Sequence, residues 1–150
     1  MKKERFSSIK LIFSLLLLIS LLIPITQCKK AASDQDQLVE VTNITPAEAK
    51  QLIDANQGNG NFVILDVRTP AEFNSGHIED AINIDFNAGD FQSQVNMLDI
   101  RNIYLVYCRS GNRSAQAASI MVNLGFQQLY NMLGGISQWQ AGGFEIIIPN

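Results

Sequence analysis

The chain has 150 residues, is 47% hydrophobic and 17% charged, and carries a formal net charge of −3 at pH 7. Four cations and one anion fall in the first 28 residues, so the remainder carries −6, which argues against nucleic acid as a main partner. One histidine and two cysteines, Cys28 and Cys108, show no ligand-type spacing with acidic residues, so the sequence gives no metal site.

Lys2, Lys3, Arg5 and Lys10 form a positive start, followed by a largely Leu/Ile stretch over residues 11–23 and then Pro24-Ile25-Thr26-Gln27-Cys28. That pattern reads as a secretory signal over 1–28, and its apolar core is short for a span of roughly 20 residues. The end at Cys28 resembles the lipobox of bacterial lipoproteins, in which the cysteine is lipidated and becomes the mature N-terminus. Gln27 departs from the small residue usual at that place, so a soluble secreted protein and an uncleaved anchor stay open. The resemblance implies an exported protein on the periplasmic side of a bacterial membrane, held there by lipid on Cys28. Residues 29–37 are small and polar without apolar period and read as a flexible linker. Residues 38–150 are one domain's worth of chain.

Within that domain strand and helix signals alternate. Leu38–Val41 reads as a short strand, and Thr45-Pro46-Ala47-Glu48 opens a helix with an N-cap, an N1 proline and a capping-box glutamate. Phe62–Val67 is an apolar run suited to a strand buried on both faces. Thr69-Pro70-Ala71-Glu72 starts a second helix by the same capping logic. Ala81–Ile84 reads as a strand, 88–99 as helical and Ile103–Tyr107 as the central strand. Ser114–Leu124 has helical spacing and stops at Gly125; Leu129–Leu133 is a last strand and Ile136–Gln140 a last helix. This alternation predicts an α/β domain with a mainly parallel central sheet and helices on both faces.

The most informative segment is Cys108-Arg109-Ser110-Gly111-Asn112-Arg113. It sets a thiol at the carboxyl end of a buried strand, where ligand sites of such sheets lie, and beneath a helix N-terminus. Loop N–H groups, the helix dipole and two arginines all favour thiolate over thiol, so Cys108 is expected to have a lowered pKa. The plain alternative is a buried structural cysteine, but that needs neither a glycine-containing loop nor flanking cations.

Three motifs then identify a resemblance. They are Asp66-Val67-Arg68 with Glu72-Phe73, Gly76-His77-Ile78, Ala81 and Asn83; Tyr107-Cys108 through Ser114; and Leu133-Gly134-Gly135 with Trp139 and Gly143-Phe144. In this order they resemble the single-domain rhodaneses, a sulfurtransferase family, over about Leu38 to Ile148. The loop from Cys108 to Arg113 has six residues, the length that the sulfurtransferases of that superfamily use; phosphatase and arsenate reductase relatives have a longer one. The resemblance implies a thiosulfate sulfurtransferase with Cys108 as the persulfide-forming nucleophile. Arg109, Ser110, Gly111, Asn112 and Arg113 would form the substrate-binding loop, with small sulfur-containing anions as donors and thiols, including protein cysteines, as acceptors. Such two-step covalent chemistry calls for no metal or organic cofactor.

Arg113 has two readings here, as a donor-binding group or as a tie from the loop to Asp66 or another carboxylate. Asp66 and Arg68 read as a supporting ion pair, Glu72 as a helix cap, His77 as a packed or hydrogen-bonded side chain and Trp139 as core. Two other classes stay open: a persulfide carrier or binding module without turnover, and an anion-processing enzyme of the phosphatase or arsenate reductase kind.

Overall fold

The computed structural model describes residues 40–149, so the signal sequence, Cys28 and the linker lie outside the described residues. The described strands are β1 (Thr42–Ile44), β2 (Phe62–Asp66), β3 (Ile82–Asn83), β4 (Ile103–Tyr107) and β5 (Gln128–Met132). Between and after them run α1 (Pro46–Ala55), α2 (Pro70–Asn74), α3 (Phe91–Val95), α4 (Asn112–Asn123) and α5 (Gly135–Ala141). The strands form one five-stranded sheet in the order β1-β5-β4-β2-β3, every pairing parallel.

Period-2 alternation along the central strands sorts the core into two layers. Leu65, Val67, Tyr104, Val106 and Leu129 pack with Phe91 and Val95 of α3 and Ala117 and Met121 of α4. Ile64, Leu105 and Tyr107 point the other way, toward Ala49 of α1 and Ile136 and Trp139 of α5. Both faces are therefore covered, which is why β2 and β4 read as unbroken apolar runs. Thr45 and Thr69 both make the expected capping boxes, with Glu48 and Glu72 respectively.

Several boundaries shift by a residue from the sequence reading, and three differences matter more. The first described strand lies at Thr42–Ile44; of the strand expected over Leu38–Val41, Glu40 and Val41 are not in a strand, and Leu38 and Val39 lie outside the described residues. Only Ile44 of it is buried, so this edge strand carries almost no apolar signal. The helix expected over 88–99 is regular only at Phe91–Val95, because Phe91 and Val95 are the residues it buries. The helix after the cysteine begins at Asn112, two residues earlier than Ser114, so the loop and the helix overlap.

The topology positions the site. After β2 the chain moves outward to β3, whereas after β4 it moves the opposite way to β5. Connections leaving these two neighbours diverge and open a crevice at their carboxyl ends. Cys108 is the first residue beyond β4.

Candidate active site

Cys108 lies fully buried at the base of its loop, while Arg109 and Ser110 at the rim are exposed. The Gly111 N–H donates to Cys108 Sγ at 3.1 Å, and the Ser114 hydroxyl lies 3.5 Å from it. Burial pushes the thiol pKa up, but the Ser114 hydroxyl and the backbone N–H groups of Ser114, Ser110 and Gly111 outweigh it, leaving the pKa below its ordinary value. The loop is thus a cradle of donors aimed at one sulfur, backed by the N-terminus of the twelve-residue α4.

Two glycines make this closure possible. Gly111, the N-cap of α4, has φ +93°, and a Cβ there would meet Gly134 N at 3.1 Å and Met132 O at 3.3 Å. Gly135 has φ +56°, and a Cβ there would fall 2.3 Å from Cys108 O. With no side chain in the way, α5 docks end-on. Its Ile136 N–H donates to Cys108 O at 2.9 Å and its Ser137 N–H to Arg109 O at 3.1 Å. Sequence reasoning placed Gly134-Gly135 in the third motif, just before the last helix, without seeing the contact with the cysteine loop; the paired glycines directly before a helix were its signal.

The two loop arginines have different surroundings. Arg109 is exposed and has no carboxylate partner among the described residues. Arg113 instead donates from Nη1 to Glu72 Oε2 at 2.8 Å and from Nη2 to Glu72 Oε1 at 2.7 Å, a bidentate pair joining α4 to α2. Of the two readings open for Arg113, the structure shows the tie, and its partner is Glu72 rather than Asp66. Arg113 hydrogen bonding, with a further contribution from the Thr69 cap, lowers the Glu72 pKa to about 2. The helix-capping role of Glu72 was legible; its second role as the anchor of Arg113 was not.

Asp66 is held by Arg68, which donates Nε to both carboxylate oxygens at 3.0 Å and Nη2 to Oδ2 at 2.6 Å. Arg68 Nη2 also donates to Gly76 O at 2.7 Å, and Asn83 Nδ2 bridges Asp66 O and Arg68 O at 2.9 and 2.8 Å. The pair is nearly solvent-free and staples the chain after β2 beside the cysteine loop. His77 stacks on Phe73, with its Nδ1 3.1 Å from Phe73 O, and Trp139 donates Nε1–H to Glu145 O at 2.8 Å. Asn112 is exposed on the first turn of α4. No group of residues able to hold a metal ion occurs among the described residues.

A buried cysteine cradled by loop N–H groups at the end of a parallel α/β strand defines a class of nucleophilic anion-binding sites. Within that class the chain belongs to the rhodanese-like domain family, whose pattern matches residues 45–142. It is 34% identical over 104 residues to thiosulfate sulfurtransferase GlpE of Pseudomonas syringae, covering 69% of this chain and 91% of that protein. It is 32% identical over 132 residues to the mitochondrial protein HIGH ARSENIC CONTENT 1 of Arabidopsis thaliana, covering 77% and 78%. Among solved structures, the rhodanese-related protein of Thermoplasma volcanium superposes with a TM-score of 0.60 at 29% identity, covering 72% of this chain and 99% of that one.

Proposed function

We propose that this chain moves a sulfane sulfur from thiosulfate or a related small anion to a thiophilic acceptor through a persulfide on Cys108. The observation that carries this reading is the sulfur at the base of a six-residue loop, facing converging N–H donors rather than a general base. The Cys108 thiolate attacks the outer sulfur of the donor. One S–S bond forms, the bond to the sulfite sulfur breaks, and sulfite leaves with the electron pair. The outer persulfide sulfur is then attacked by the acceptor, and Cys108 returns to thiolate; cyanide would leave as thiocyanate. The loop N–H groups stabilise negative charge on sulfur, the fixed-dipole logic of an oxyanion hole. The exposed, carboxylate-free Arg109 draws in the donor anion.

The test is mass spectrometry of the protein after thiosulfate treatment. A gain of one sulfur on Cys108, removed by cyanide, supports the reading; an unchanged mass sinks it. The anion-processing alternative makes arsenate the second arm, and the Arabidopsis relative's name mentions arsenic. Turnover of arsenate without sulfur transfer would favour the anion-processing alternative, and a stable persulfide without turnover the carrier.

We also propose that the protein is exported and anchored by lipid on Cys28. The positive start, apolar stretch and cysteine in the first 28 residues support this. Cys28→Ala should release the protein from the membrane fraction or block its processing. Wild-type protein found soluble in the periplasm and cut elsewhere would reject the lipid anchor.

A further inference from the structure

A chain of polar side chains runs from the nucleophile to the edge of the sheet. Ser114 Oγ, 3.5 Å from Cys108 Sγ, lies 2.7 Å from Asn131 Oδ1, and Asn131 Nδ2 lies 2.8 Å from Asn43 Oδ1. Asn43 and Asn131 are direct partners in the β1–β5 register, and Asn43 reaches solvent. Ser114 and Asn131 are buried, at 0% and 1% exposure, on the same side of the sheet as the cluster that holds Cys108. Burying an amide there without hydrogen bonds would be costly, whereas an apolar side chain would not.

A hydroxyl has one proton, and Ser114 Oγ has three acceptors in reach: Asn131 Oδ1 at 2.7 Å, Gly111 O at 3.1 Å and Cys108 Sγ at 3.5 Å, so it serves only one of them fully. The arrangement above spends that proton on Asn131 Oδ1. Exchanging O and N of both amides preserves every heavy-atom distance and reverses the direction of donation. Asn43 Nδ2 then donates to Asn131 Oδ1 and Asn131 Nδ2 donates to Ser114 Oγ, which leaves the hydroxyl proton to Gly111 O or Cys108 Sγ; once the sulfur is a thiolate, its charge makes it the stronger acceptor.

We propose that Asn131, backed by Asn43, is a positioning residue whose amide direction commits the Ser114 hydroxyl proton to the anionic Cys108 sulfur. The chain then has two polarities. With a neutral thiol, the Ser114 proton points at Asn131; with a thiolate, Asn131 donates and Ser114 donates onward. Asn131 touches neither sulfur nor substrate and acts through Ser114. The inference rests on Cys108 being the working nucleophile of the proposed function, but not on the identity of the donor.

The charged groups around the sulfur are Arg109 and Arg113 of the loop, Glu72 on α2, the Asp66–Arg68 pair after β2, and Asp85 beyond β3, whose charge acts on Arg113. Tyr107 lies on β4 with its ring turned to the opposite layer. None of these belongs to the Asn43–Asn131–Ser114 chain, so neutral changes in that chain leave the surrounding charge untouched.

The test is the ultraviolet titration of the Cys108 thiolate in the full chain without donor. Each variant is read against its own Cys108→Ser counterpart, which cancels Cys28 and the tyrosines. Asn131→Leu should lower the thiolate fraction at a pH below the pKa about tenfold, the size of one hydrogen bond to a charged group. Asn43→Ala, at the exposed end, should shift it the same way by less. Asn131→Leu added to Ser114→Ala should add nothing to Ser114→Ala alone, because the route to the sulfur is already cut. A folded Asn131→Leu that titrates like wild type overturns the inference. If that variant does not fold, an unshifted Asn43→Ala overturns it instead. Failure of sulfur transfer to Cys108 while the titration still follows Asn131 would sink the proposed function and leave this chain of bonds standing.

Discussion

β2 and β4 are neighbours in register, each five residues long, and each ends in a charged loop, yet the two ends handle charge in opposite ways. The end of β2 closes on itself: Asp66 and Arg68 satisfy one another and the backbone around them. The end of β4 supplies donors to a sulfur and leaves it no full countercharge in contact. An ion pair re-forms around small shifts, but a cradle of backbone N–H groups works only in one shape. Changes after β2 should therefore be felt in stability, and changes after β4 in chemistry.

The sharpest way to break this contrast is at its extremes. Cys108→Ser should abolish thiosulfate:cyanide sulfurtransfer with an unchanged melting temperature, since serine is nearly isosteric but forms no persulfide. Residual activity above a few per cent of wild type would place the chemistry elsewhere. Arg68→Ala should lower stability by about 3–5 kcal/mol in denaturant unfolding, because it strands a buried carboxylate. A mild loss of stability with a lost persulfide would invert the comparison.

The Arg113–Glu72 pair joins the two regions and should show intermediate behaviour. Arg113→Gln and Glu72→Gln should each lower kcat about tenfold through a misaligned loop, and the double variant should be no worse than either. Arg109→Gln should instead raise the thiosulfate KM and flatten its salt dependence with kcat little changed. If all three change KM alone, Arg113 has no organising role. The smallest effect is in acid. Glu72 is lowered from 4.5 to about 2, so the unfolded state takes up its proton first as pH falls. The contribution of the pair to stability is full above pH 4.5 and drains away toward pH 2. Glu72→Gln should remove that portion of the acid-unfolding profile; an unchanged profile would show the pair to be inert.

Much of the fold was readable because β2 and β4 are buried on both faces and so announce themselves as apolar runs. β1 was missed because an edge strand with one inward residue, Ile44, gives no such signal. The thiol loop was legible because its chemistry is local: cysteine, glycine and helix start within a few residues. What stayed hidden was long-range. Nothing near Arg113 in the sequence points to Glu72, 41 residues earlier, and capping already accounted for that glutamate. Asn131 had a faint signal, a lone amide in the run Leu129–Leu133, but its partner Asn43 lies 88 residues away.

The docking of α5 on the cysteine loop sets an order of events in the life of the chain. Cys108 O and Arg109 O are clasped by Ile136 and Ser137, and Gly111 packs against Gly134. These partners all come late in the sequence. Until that last helix arrives, the donors around the sulfur are unaligned, and the cysteine is an ordinary thiol with a pKa of about 8.5. A nascent, unfolded or C-terminally clipped chain is therefore expected to hold less thiolate than the finished fold. The full thiolate fraction arrives only with the completed fold, and in that fold the sulfur is buried.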